Sequence, residues 1–158
     1  MGFWDEVFKP LPSYKNFHKS KEELIADLER ASSYLGAAEM VIDDAERISV
    51  YRDKIDQTIQ VLELPETTYK NIVSGIKIAN AISDLGKINI SQNPQAAAKA
   101  FGRLFSGIGE LARYLPPPIN GYFEIFAEAE HFFEDMRVKL DPRIHMREPG
   151  AQEVVDNL

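Results

Sequence analysis

The chain has 158 residues, 44% hydrophobic and 27% charged, with a net charge of −7. That length and mix predict one folded domain with its own core and set aside wholesale disorder. Cysteine is absent, which excludes disulfides, thiolate metal sites and cysteine nucleophiles, and the negative balance argues against nucleic acid, whose binding needs clustered Lys and Arg.

Residues 1–19 read as an irregular N-terminal arm, because Pro10 and Pro12 stop any helix begun at Phe3. Phe3, Trp4, Val7 and Phe8 form an apolar cluster. It is expected to fold onto the domain, and the competing reading makes Phe3 and Trp4 an anchor for a partner. Asp5 and Glu6 stand where a secretory signal would carry bases. No uncharged run approaches the roughly 18 residues of a membrane span. A cytoplasmic protein is expected, or one exported without a cleaved signal, and the lack of cysteine suits a bacterial origin.

The bundle domain is placed at residues 20–140. Ser20 and Glu23 have capping-box spacing, so a helix should start there. Leu24, Leu28, Ala31, Leu35, Ala38, Ile42 and Ala45 then alternate four and three apart, the heptad period of a helix lying along another helix. Ile48, Ile55, Ile59 and Leu62 continue the seam to about Leu64, with Arg52 interrupting it. Such a helix would be about 65 Å long, so a bend or break is expected, with Gly36 the favoured place.

Pro65 suits the first turn of a second helix, which carries Tyr69, Ile72, Val73, Ile76, Ala79 and Ile82 to Gly86. After a loop over 87–93, Asn93 and Pro94 should cap and open a third helix reaching about Leu115. Pro116, Pro117 and Pro118 force a stiff turn. A fourth helix follows from about Ile119 to Leu140, with Tyr122, Ile125, Phe126, Ala129, Phe132, Phe133 and Met136 on its core face. Residues 141–158 lack periodicity and are expected to be a loose tail. The fold class is therefore all-α: a single antiparallel bundle of four to five helices with a long, bent first helix.

The charges are unevenly spread, at −7 over 21–66, +4 over 67–116 and −5 over 117–158. An antiparallel bundle could use that alternation to favour correct neighbours.

Few residues suggest chemistry. Glu128 and His131 form a Glu-x-x-His pair, half of what a di-iron bundle uses. At about 100° per residue, however, they fall with Glu124 and Asp135 opposite the aromatic face, toward water. His18 and His145 lack nearby ligand spacing. No nucleophile elbow or phosphate-cradling loop is present. No cofactor, metal site or catalytic residue is predicted, and an enzyme is disfavoured.

The third helix is unusual in carrying Gly102, Gly107 and Gly109, each costing about 1 kcal/mol against Ala. Ala98, Gly102, Ser106 and Gly109 make a small-residue stripe that lets another backbone approach. Close packing in the bundle is the favoured explanation. The sharper one makes residues 97–137, hinged at Pro116, Pro117 and Pro118, a hairpin able to enter a bilayer, although Arg103, Glu110 and Arg113 oppose insertion.

The leading functional expectation is a non-catalytic protein-interaction module of the adaptor, chaperone-like or immunity type. Its partner would be a protein with a basic surface, met by an acidic helical face of Glu39, Asp43, Glu46 and Asp53 together with Phe3 and Trp4. The alternative is a membrane-active toxin or effector using 97–137. A homodimer formed through the heptad seam is also open.

Overall fold

The computed structural model describes residues 21–67 and 72–140. The expected arm, the Ser20 cap and the tail lie outside these residues. Five α-helices and a short 3₁₀ turn pack as one all-α bundle: α1 Lys21–Glu39, α2 Ala45–Glu63, α3 Ile72–Gly86, α4 Pro94–Ala112, the turn Ile119–Tyr122 and α5 Phe123–Lys139. Helix α1 pairs with α2, α3 with α4 and α4 with α5, so that α4 lies between α3 and α5, and α1 packs against both α2 and α3.

The expected long first helix is a hairpin of two. The chain breaks over Met40–Asp44, beyond Gly36. Asp44 sits in the left-handed region at φ 72°, which Asp tolerates better than most residues. Its carbonyl accepts from Arg47 and Ile48 and so starts α2. The seam is buried from Leu24 through Ile42 but leaves Ala45 exposed. It resumes with Ile48, Tyr51, Ile55, Ile59 and Leu62. Reversing the chain shifts the register, so Tyr51 enters the core and Arg52 lies at its edge.

Gly36 stays inside α1 and makes room for Arg52. A Cβ there would stand 3.0 Å from Arg52 Nη1. Arg52 Nε donates to Ser32 Oγ (3.1 Å), Ser32 Oγ donates to Asp56 (3.1 Å), and Arg52 Nη1 lies 3.7 Å from Glu39.

Asp27, on α1, is a buried-side carboxyl. Burial pushes its pKa up, and Arg30, 3.7 Å away, only partly opposes that. With the folded value above the unfolded one, the native state holds the proton more tightly. The associated stability is present at low pH and is lost as pH rises through the folded value. Asp27→Asn removes this loss. The variant should melt above the parent at pH 7, with the gap closing below about pH 4, as thermal denaturation at both pH values would register.

Pro65 lies in a turn closed by Thr67 N to Leu64 O (3.1 Å), not in a helix, and α3 is described from Ile72. The Asn93 cap forms as expected, its side chain accepting from Ala96 N with Pro94 in the first turn. Helix α4 is the hub of the bundle: Phe101, Leu104, Phe105, Ile108 and Leu111 are fully buried.

The α4 glycines separate by what they face. A Cβ on Gly107 would meet Ile78 Cγ1 and Lys77 Cβ at 3.0 Å and Ser74 O at 3.1 Å, so α3 approaches closely there. Gly102 and Gly109 face α5, and a Cβ on Gly102 finds nothing nearer than Glu130 O at 3.9 Å. Packing therefore does not require Gly102. Gly102→Ala should raise stability by about 0.4–1 kcal/mol, read as a higher urea midpoint at unchanged slope.

The charge alternation along the chain is not used between segments at the pairs that can be named. Arg47–Glu128 joins two acidic segments, whereas Lys77–Glu110 and Arg103–Asp84 lie within the basic one. Ion pairs form between helices that the hairpins bring side by side, whatever their segment's net charge.

Candidate functional site

The α1–α2 corner lies against α5, and between them runs an open groove of about 840 Å³. Its floor comes from α5 positions four or five residues apart, Phe123, Ala127, Phe132 and Met136, closing at Leu140. Its rim is rich in carboxylates. Asp43 and Asp44 come from the corner, and Glu124, Glu128 and Asp135 from α5.

Arg47 builds the wall between rim and floor. Its Nη2 donates to Glu128 Oε1 (2.9 Å), its Nε donates to Tyr51 Oη (2.8 Å), and its guanidinium carbon lies 5.1 Å from the Phe132 ring centre. Burial pushes the Tyr51 hydroxyl pKa up, with the Arg47 hydrogen bond opposing it. At the other end Arg113 covers Phe123, guanidinium carbon to ring centre 4.7 Å. Both arginines are thus spent on aromatic faces and on Glu128. Asp43, Asp44, Glu124 and Asp135 are exposed, and no ion pair engages them among the described residues. The surplus of the rim is negative.

A second groove, of about 820 Å³, runs on the other flank of α5, over Gly102 and Ser106. Three of its four cations are matched, and the fourth, Lys99, lines it together with Glu130. Lys77 pairs with Glu110, Arg103 with Asp84 and Arg137 with Glu134, and the Arg137 hydrogen bonds hold the Glu134 carboxyl below its usual value.

The residues anticipated from sequence divide sharply. The supposed single acidic helix face does not exist, because the break at 40–44 intervenes. Glu39 turns toward Arg52, with its Oε1 buried and lacking a hydrogen-bond partner among the described residues. Asp53 is exposed on α2 and accepts from Gln57 (2.7 Å), away from the groove lining. Glu46 is exposed beside the corner, and Asp43 reaches the rim. Phe3 and Trp4 lie outside the described residues.

Gly102, Ser106 and Gly109 lie on the α5 side of α4. Pro116, Pro117 and Pro118 are exposed in the connecting turn. Glu128 and His131 face outward on α5, with Glu128 held by Arg47. Among the described residues no three His, Asp or Glu side chains gather as metal ligands, and no helix is long and apolar enough to cross a membrane.

Arg47, Phe123, Ala127 and Phe132 were not anticipated as site residues. The outward polar stripe of α5 was legible in sequence, but nothing local to it signals that the α1–α2 corner lies alongside. The chain matches no family model, no curated protein and no solved structure.

Proposed function

We propose that this protein is a non-catalytic recognition module whose binding surface is the groove between the α1–α2 corner and α5. The observation that carries the reading is the pairing of an apolar floor with a rim whose five carboxylates, only Glu128 of them ion-paired among the described residues, outnumber the lining cations Arg47, Arg113 and Lys139. A floor of that kind takes apolar side chains and supplies affinity through burial. The rim selects a partner with Lys or Arg on its other face, and steers it from a distance.

An amphipathic basic segment of another protein has both properties, and a helix lying in such a groove is a recurring mode of recognition. Adaptor, chaperone-like and immunity-type roles all use a surface of this kind. The corner adds exposed Met40 and Val41 next to the acids, which extends the apolar contact beyond the groove itself.

The test uses a labelled peptide with lysine on one helical face and leucine on the other, titrated into the full chain. Binding should weaken as salt rises from about 0.05 to 0.5 M, because the Debye length shrinks several-fold over that range. Asp43→Lys combined with Asp135→Lys should weaken it about tenfold or more, whereas Asp53→Lys, on a different face, should change it less than about twofold. Equal losses from both sets would place the acidic contact elsewhere.

A further inference from the structure

The second groove, lined by α3, α4 and α5, differs from the first in kind. Every residue lining it is charged, polar or glycine. A ligand there gains little from apolar burial and must be held by charge and hydrogen bonds. Lys99, Gly102 and Ser106, three and four apart, place one face of α4 along it. Gly102 weakens the helix, yet a Cβ there would meet nothing nearer than Glu130 O at 3.9 Å. Packing of the bundle therefore does not use that bareness. A local rule broken without a return in packing is characteristic of functional positions, and glycine lets a ligand come close to the backbone.

The lining holds four cations, Lys77, Lys99, Arg103 and Arg137, against two carboxylates, Glu130 and Glu134. Glu110 and Asp84, which pair with Lys77 and Arg103, stand outside the lining. With those two included and His131 neutral, the charges balance. All three ion pairs are partly open to water, where such a pair contributes little, so their cations can turn to a dianion at small cost. Arginine forks and lysine ammonium groups match phosphate oxygens. Lys99 and Glu130 make no ion pair or hydrogen bond among the described residues. A carboxylate beside such cations repels phosphate but accepts hydrogen bonds from hydroxyl groups. Cations for phosphate, a carboxylate for hydroxyls and a lining without apolar side chains describe one class of ligand.

We propose that this groove binds a phosphorylated sugar or polyol, its phosphate held by Lys99, Arg103 and Arg137 and its hydroxyls by Glu130. The site is separate from the acidic groove and does not depend on the protein partner assigned there.

The test titrates glucose 1,6-bisphosphate into the full-length protein and follows backbone amide shifts. Perturbations should concentrate on residues 99–106 and 130–137 and leave Asp43–Arg47 unmoved. Pyrophosphate, which lacks the hydroxyls, should bind about tenfold more weakly. Lys99→Glu/Arg103→Glu should weaken sugar bisphosphate binding about tenfold or more, whereas Lys87→Glu, exposed beyond the end of α3, should change it less than about twofold. Glu130→Gln should lower the preference for the sugar bisphosphate over pyrophosphate. Gly102→Ala should bind more weakly while its urea midpoint rises, a split that loss of folding cannot produce.

No perturbation at about 10 mM, or binding that Lys99→Glu/Arg103→Glu leaves intact, overturns the proposal. Equal affinity for pyrophosphate, with no effect of Glu130→Gln on the preference, overturns the sugar assignment. A Gly102→Ala protein that binds as tightly as its parent overturns the role given to the bare helix face.

Discussion

Phe105→Ala is expected to cost about 3–5 kcal/mol of unfolding free energy, the largest effect of any single truncation in the bundle. Phe105 is fully buried on α4, and its ring lies 5.7 Å from Tyr51 of α2 and 6.0 and 5.7 Å from Phe126 and Phe133 of α5, stacked on the last two. Truncation therefore leaves a cavity walled by three helices. Each wall is pinned by its own hairpin, so the space cannot close easily. Against a typical total of about 5–15 kcal/mol, such a loss is a large fraction of the whole. Urea denaturation should show a much lower midpoint at unchanged slope. Tyr114→Ala, 70% exposed, should stay within about 0.5 kcal/mol and serves as the control.

Gly107→Val is expected to destabilise by about 2–3 kcal/mol. Valine would gain helix propensity, worth less than about 1 kcal/mol here. Its Cβ alone would stand 3.0 Å from Ile78 Cγ1 and Lys77 Cβ and 3.1 Å from the Ser74 carbonyl. The Ser74 carbonyl and the Lys77 Cβ are fixed by the α3 backbone, so the helix itself must move, and overpacking of that kind costs about 1–3 kcal/mol before the two further methyls are placed. The sign is opposite to that expected for Gly102→Ala in the same helix. A pair of melts would check both, and a Gly107→Val protein as stable as its parent would show that α3 packs more loosely than described.

Legibility in the sequence followed how local each determinant is. The seam from Leu24 to Ile42, the Asn93–Pro94 cap, the end of α3 at Gly86 and the core face of α5 are set by residues close in sequence, and the structure bears them out. The core face of α3, by contrast, is Ile78, Ala81, Ile82 and Leu85, with Ile76 and Ala79 only half-buried. The break in the first long helical stretch was expected, but at Gly36 and not at Met40–Asp44. Glycine looked like a weakness when only propensity was weighed, whereas its bareness admits Arg52 from the neighbouring helix, a contact between distant positions. Asp43 and Asp44, just ahead of Ala45 and Glu46, were the available signal for a helix start.

The groove was harder to see because each of its halves looks ordinary alone. The outward stripe of α5 reads as a solvated face, and the corner acids read as part of a continuous helix. Only the folding back of α2 brings Asp43 and Asp44 beside Ala127 and Asp135. The charge of the site is thus a property of the tertiary arrangement, while its ingredients are scattered through the chain.

Recognition by the groove is tested most directly by recording backbone amide shifts of the full-length protein during titration with the lysine–leucine peptide. The account predicts that perturbations concentrate on Asp43–Arg47 and on the outward positions of α5 from Phe123 to Leu140, and that they vanish in Asp43→Lys/Asp135→Lys. Perturbations centred on α3 and the outer flank of α4, or none at peptide concentrations up to about 1 mM, where the binding energy would be only about 4 kcal/mol, would contradict it.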